Sequence, residues 1–358
     1  MPDSSMWFKA ARFFTVNFNA IAPFFTNAAA FEKAIMKCPF RPCQPREAAT
    51  IGFVPLIDGT AAMTLMSGGA FYCRLREESK LLPSQVIRSA LEDEVASREE
   101  ELGRTLGRAE REQLKITLTN ELLEQAFCTR RDVLIWCCPR RSLCAVSVNS
   151  AKRADRALAM LRDALGSFPA QGLQPRCAVE MRLTSWLSGQ ELPQMLALGS
   201  DLVLRGGDDD AATIRVTHED LTSQEIAAWF KAGKNVTEVQ LEFGDSLSLV
   251  LSADLCLKRI KVLDQYLERE LPDEDDVRAE RQSILILQGG LLEQVGLFLQ
   301  DEFECETDVS AVEDKPISPV YVPDDEAEDE NNYEKNSEKN SEKNSETDDG
   351  SDNGTEDN

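Results

Sequence analysis

Between Val239 and Leu251 apolar residues alternate with polar ones on both sides of Gly244-Asp245-Ser246. Val239, Leu241 and Phe243 form one half of the pattern, Leu247, Leu249 and Leu251 the other. A period of two on either side of a short glycine-containing turn predicts an antiparallel hairpin with one buried face. This excludes an all-helical bundle. It also argues against a doubly wound parallel sheet, whose neighbouring strands need long crossovers.

The remaining segments mix both periods. Phe14, Val16 and Phe18 alternate with Thr15 and Asn17, predicting a strand, followed by a loop into a helix. Further strands are expected at Ile51–Leu56, Ala70–Leu75, Val133–Cys138, Leu143–Val148, Ala178–Leu187, Thr213–Thr217 and Leu255–Lys261. Pro83-Ser84 opens a charged helical stretch reaching about Phe127, broken at Gly103 and Gly107 into a projecting helical hairpin. Ser150 caps a helix stopped at Gly166, and Thr222 with Glu225 reads as a capping box for a helix ending at Gly233. Two helices close the body, the last from about Asp275 to Phe303 with a kink expected at Gly289-Gly290. The expected fold class is α+β with mixed or antiparallel sheets. Residues 1–80 and 130–190 form a β-rich central region containing a helix over 150–166. Residues 81–129 form the arm, and 191–305 an α+β region with the closing helix.

From Glu306 onward the pattern dissolves, and Glu-Lys-Asn-Ser recurs three times between Glu334 and Ser345. This stretch holds 19 of the 63 acidic residues but 4 of the 39 basic ones, so most of the net charge of −24 belongs to it. Such composition cannot bury enough apolar surface to offset ordering entropy, which predicts a disordered tail over 306–358. The tail is either a solubilising extension or an acidic mimic competing for basic surface. The body is only mildly acidic. With 42% hydrophobic residues, the chain is neither a basic coat protein nor wholly disordered.

Ten cysteines in a chain this long suggest reduced core thiols in the cytoplasm rather than a disulfide framework. Cys38 and Cys43 lack a second pair or a nearby histidine, so no metal site is expected. The uncharged stretch Phe13–Phe31 imitates a signal peptide, but Asn17, Asn19, Asn27 and Pro23 suit neither a leader nor a membrane span. No membrane association is expected. Catalytic patterns are poor: there is no Walker cradle and no nucleophile elbow, and the one histidine, His218, lies between a strand and a helix without an identifiable nucleophile. Neither an enzyme nor a cofactor is expected.

What stands out is local basic clustering. Leu257, Arg259 and Lys261 should share one face of a strand, with Lys258 and Ile260 on the other. Lys152, Arg153 and Arg156 open a helix, where cations oppose its dipole. Arg130-Arg131 and Arg140-Arg141 flank the Val133–Cys138 strand.

The order of short segments resembles the bacterial recombination-associated RdgC family over roughly residues 6–303. The matching stretches are Met6-Trp7-Phe8-Lys9, Gly52-Phe53-Val54-Pro55, Lys80-Leu81-Leu82-Pro83-Ser84, Ser150-Ala151-Lys152-Arg153-Ala154, Asp220-Leu221-Thr222-Ser223 and Leu257-Lys258-Arg259-Ile260-Lys261. Leu122-Leu123 with Ala126-Phe127, Leu183-Thr184 with Trp186, and Ala232-Gly233-Lys234 fall between them in order. The resemblance implies a horseshoe-shaped subunit whose homodimer closes into a ring around double-stranded DNA without sequence preference. It further implies association with the nucleoid and antagonism of RecA-driven recombination. Phosphate contacts are then expected from Lys258, Arg259 and Lys261 first, followed by Lys231, Lys234, Lys152, Arg153 and Arg88. Phe127 is either a contact between copies or a plain core aromatic. The chain departs from the family at His218-Glu219, where members can carry a Lys-Gln pair on a finger lining the ring; Glu219 would repel phosphate there. The reading from another class is an interaction protein that uses the arm and the acidic tail without touching DNA.

Overall fold

The computed structural model describes residues 6–206, 212–272, 274 and 276–312. The predicted tail beyond Val312 lies outside them. Within them the chain packs as two compact units, one of residues 6–42, 50–78 and 130–312, the other of 43–49 and 79–129.

The first unit contains two sheets. β1 (Arg12–Val16), β2 (Ala49–Val54), β3 (Thr64–Ser67), β4 (Ala70–Lys80), β5 (Cys128–Cys138), β6 (Leu143–Val146) and β7 (Ala170–Gly172) make a seven-stranded sheet. Its order is β2-β4-β5-β6-β1-β7, with β3 on β4. β8 (Leu196–Gly206), β9 (Thr213–Val216), β10 (Lys234–Phe243), β11 (Leu247–Ser252) and β12 (Leu257–Val262) make the second, ordered β12-β11-β10-β8-β9. The predicted hairpin is its centre, pairing Val239 with Leu251 and Phe243 with Leu247. All recorded registers within the sheets are antiparallel. The fold is α+β.

Alternation along β5 builds two cores at once. Val133, Ile135 and Cys137 enter one cluster, with α1 (Ala28–Ile35) supplying Phe31, Ala34 and Ile35. The helical arm, in the second unit, is α2 (Ser84–Leu102) followed by α3 (Arg108–Gln125), separated by Gly103, whose φ of 63° ends α2 in the left-handed region. α4 (Ala151–Leu165) completes the first cluster with Ala154, Ala157, Leu158, Leu161 and Leu165, which share one face. Ser150 Oγ accepts from Arg153 N, and Gly166 at φ 83° stops the helix.

On the other face of the seven-stranded sheet, Leu134, Trp136 and Cys138 meet the closing helices. After α5 (Val179–Leu187), α6 (Gln224–Lys231) and α7 (Asp264–Glu270), the chain ends its described fold with α8 (Val277–Glu302). α8 packs on both sheets. A Cβ on Gly296 would come within 2.9 Å of Leu143 and Phe13, while Phe298 stacks edge-on against Phe243 of β10 with ring centres 5.5 Å apart. Gln288 accepts from Phe8 N at 2.6 Å and donates to Met6 O at 3.3 Å, tying the start of the chain to its last helix. α8 is long and apolar enough to cross a bilayer by length and composition. Its Ile284, Leu285, Leu291, Leu292, Val295 and Leu299 are instead buried in the protein core.

Three expectations are corrected. Val179–Leu187 is a helix, not a strand: Val179, Leu183 and Trp186 are buried at spacings of four and three. The capping box at Thr222 does not form, because Thr222 gives its N–H (2.9 Å) and its hydroxyl (2.7 Å) to Asp220, and α6 starts two residues later. α8 runs unbroken through Gly289-Gly290; Gly289 is there for close packing, since a Cβ would lie 3.0 Å from Tyr72 Oη.

The ten thiols are free and mostly buried. Burial pushes the Cys73 and Cys137 thiols well up and that of Cys256 to about 11, so these are packing groups, not nucleophiles.

Candidate nucleic-acid interface

One face of the five-stranded sheet packs into the core, and the other is mixed, with Val250 and Ser252 covered and Glu242 exposed. Val239, Leu241 and Phe243 of β10, with Leu202 and Leu204 of β8, point into the core. Glu238, Gln240 and Glu242 alternate with the β10 set and therefore lie on the other face. A polar row crosses this face: Gln240 Nε2 donates to Ser248 Oγ at 3.3 Å, and Gln240 Oε1 accepts from Ser200 N at 3.2 Å. Gly199 lets the row lie flat, since a Cβ there would fall 2.6 Å from Gln240 Cγ.

At the sheet's end, β12 departs from simple alternation. Ser248 pairs with Lys261 and Val250 with Lys258, so Leu249 stands opposite two residues, Arg259 and Ile260. This is a β-bulge, with Arg259 in the left-handed region at φ 49°. The bulge reverses the parity of the strand. Leu257, Ile260 and Val262 turn toward the core, while Lys258, Arg259 and Lys261 all reach solvent. The expected division, with Leu257, Arg259 and Lys261 on one side and Lys258 with Ile260 on the other, is therefore wrong. The physical reason is the inserted residue, which leaves the three cations together.

Each of the three has a carboxylate partner: Lys258 with Glu238 at 2.8 Å, Arg259 with Asp201 at 2.7 Å, Lys261 with Asp264 at 3.8 Å. Lys261 and Asp264 are both well exposed, and such a pair contributes about 0–1 kcal/mol, whereas Asp201 is largely buried behind Arg259. Sequence reasoning missed Lys9 as a neighbour. Its carbonyl accepts from Ile260 N at 2.8 Å, and Ala11 bridges to Leu257, which places exposed Lys9 beside the bulge. Only its place in Met6-Trp7-Phe8-Lys9 hinted at it.

The second-rank cations do not all gather here. Lys231 is exposed at the end of α6, and Lys234 opens β10 with Nζ on Ala212 O at 3.3 Å. Lys152 and Arg153 lie on α4. Arg153 is 13% exposed and bound to Glu77 at 3.2 Å, with Arg156 on the same carboxylate at 3.4 Å. That acid answers the unfavourable placement of cations at a helix start. Arg88 is exposed on α2 in the other unit. Phe127, following α3, is 83% exposed and so is not a core aromatic.

His218 and Glu219 are exposed on the turn after β9, His218 at φ 58°. The turn is held to β8: His218 N donates to Asp201 Oδ1 at 3.2 Å and Glu219 N to Ser200 O at 3.1 Å. The described residues contain no group of three His, Cys, Asp or Glu side chains able to hold a metal ion.

These features define an α+β protein with two antiparallel sheets, one of them ending in a cation-bearing strand. The chain belongs to the RdgC family: the family model described as "Putative exonuclease, RdgC" matches residues 6–306, stopping short of the acidic tail. Among its relatives, Recombination-associated protein RdgC of Shewanella loihica is 33% identical over 264 residues, covering 73% of this chain and 85% of the relative. The protein of the same name from Colwellia psychrerythraea is 32% identical over 305 residues, 84% of this chain and 98% of the relative.

Proposed function

We propose that the chain binds double-stranded DNA without sequence preference, as a homodimer that closes into a ring around the duplex, and thereby restrains RecA-mediated recombination at the nucleoid. The observation that carries the reading is the bulge of β12, which delivers Lys258, Arg259 and Lys261 to one exposed edge of an otherwise acidic body. Cations gathered this way meet phosphates through a local field, whatever the net charge. Contacts of this type carry no base information, which suits sequence-independent binding. Membership of a family whose relatives are named for recombination supports the setting. Exposed Lys231, Lys152 and Arg88, with half-buried Lys234, would contribute as second-rank cations, whereas Arg153 is largely occupied by Glu77. Exposed Phe127 on the helical arm is the candidate contact between copies.

We read this action as occupancy, not catalysis. Incubation of an end-labelled duplex with Mg²⁺ or Mn²⁺ should release no nucleotides.

The decisive experiment titrates unrelated duplexes with wild type and with a Lys258→Ala/Arg259→Ala/Lys261→Ala variant across a salt series. The variant should lose about 10- to 100-fold in affinity at low salt, and its log–log salt slope should flatten by roughly 2–3. Unchanged affinity and slope would remove these residues from the interface. No binding by wild type would favour the interaction-protein reading.

A further inference from the structure

Asp201 stands where two unusual backbone positions meet. Five non-glycine residues among those described have positive φ, and two of them, Arg259 and His218, bond to the same carboxylate. Oδ2 accepts from Arg259 NH1 at 2.7 Å, and Oδ1 accepts from the His218 backbone N–H at 3.2 Å. Asp201 itself is 13% exposed, set into β8 beside Ser200, whose carbonyl holds the next amide of the turn. Arg259 is 59% exposed, and its Nε and NH2 make no hydrogen bond among the described residues. A glycine would fill a left-handed bulge position with less strain. An arginine there points to a use for the side chain, because strained backbone is retained where surrounding structure over-determines it.

We propose that Asp201 is a positioning residue for DNA: one oxygen locks the Arg259 guanidinium by one edge while the other is anchored on the His218 turn, so the guanidinium meets the duplex already aimed. The proposal rests on the DNA-binding reading above. A guanidinium carries five donors in a planar fork. With NH1 taken by Asp201, the Nε–NH2 edge is left free and aimed, matched to two oxygens of one phosphate. Fixing the side chain in advance removes the ordering entropy that a free arginine would lose on binding.

The sign of the effect separates this from simple charge. A carboxylate at a phosphate-binding surface is adverse by Coulomb's law, so removing it should tighten binding if charge alone matters. Positioning predicts the reverse. Affinity for a 30-base-pair duplex of arbitrary sequence would be measured at low salt for wild type, Asp201→Ala, Arg259→Ala and the double variant, with thermal melting to confirm folding. Asp201→Ala should bind about fivefold more weakly and flatten the salt slope by roughly one phosphate contact. The double variant should be no weaker than Arg259→Ala, as expected when two residues act through one contact. Should Asp201→Ala fail to fold, Asp201→Asn keeps an acceptor for His218 N while discarding the charge on Arg259, and should also weaken binding. Unchanged or tighter binding by the folded carboxylate variant, or multiplicative losses in the double variant, overturns the positioning role while leaving DNA binding intact. Wild type that binds no duplex overturns both readings.

Discussion

The seven-stranded sheet and the helical arm put the same chain to opposite uses. In the sheet, β5 sends Val133, Ile135 and Cys137 to one core and Leu134, Trp136 and Cys138 to another, so both faces are sealed. In the arm, α2 buries none of its residues and α3 buries Leu114 and Leu123 alone. What holds the arm instead is polar. Arg104 makes a forked pair with Glu110 at 2.7 and 2.9 Å, and Glu99 takes both Leu106 N and Arg111. Leu81, Val86, Leu102, Ile116 and Phe127 stay exposed in this unit. A region with so little core of its own is suited to presenting surface, whereas the sheet is suited to holding shape.

Three changes test that contrast, ordered by their expected effect on stability. Trp136→Ala, at a fully buried position between β5 and α8, should cost about 3–5 kcal/mol in urea unfolding, through lost transfer energy and a cavity that rigid neighbours cannot fill. A cost below that of a surface substitution would show the core to be looser than its packing suggests. Acid should reach the arm first. The Arg104 guanidinium and the Gly107 amide hold the Glu110 carboxyl down to about 2, and Leu106 N with Arg111 depress Glu99. Folded-state values below the unfolded ones mean support that is complete above the usual glutamate range and lost as pH falls toward 2. Protection against amide exchange in 99–111 should therefore fall between about pH 4.5 and 2 while that of β5 persists; Glu110→Gln should reduce the acid sensitivity, leaving the share that belongs to Glu99. Phe127→Ser should leave melting essentially unchanged, because an 83% exposed ring has little burial to lose. Its effect should appear in solution mass, with the proposed dimer giving way to single chains on dilution. A dimer as tight as wild type would clear this residue of the role.

How much of this was legible beforehand depended on local regularity. The β10–β11 hairpin, the Ser150 and Gly166 limits of α4, and the Gly103 break in the arm all follow from short-range rules, and all occur. α5 can be taken for a strand because Val179, Met181 and Leu183 alternate, while Val179, Leu183 and Trp186 keep helical spacing, and tertiary burial chooses the helical set. β8 went unseen because Gly199, Ser200 and Asp201 interrupt its alternation, and the bulge they form against Gln240 is visible only with the partner strand in place. The cluster at 258–261 was found from charge alone, but its facing was wrong. A bulge is a property of two strands, and Leu249 on β11 is what makes Arg259 the extra residue. For the same reason neither Lys9 nor Asp201 could be seen: each joins the surface through backbone pairing with segments far away in sequence.

The Gln288 side chain that accepts from Phe8 N and donates to Met6 O has a bearing on how the protein is made. Phe8 is fastened by a residue synthesised 280 positions later. At bacterial elongation rates that interval is on the order of tens of seconds. Throughout it Trp7, Phe8 and Phe13 have no α8 to rest against, so the nascent chain carries a greasy segment that chaperones could recognise until that helix has been made.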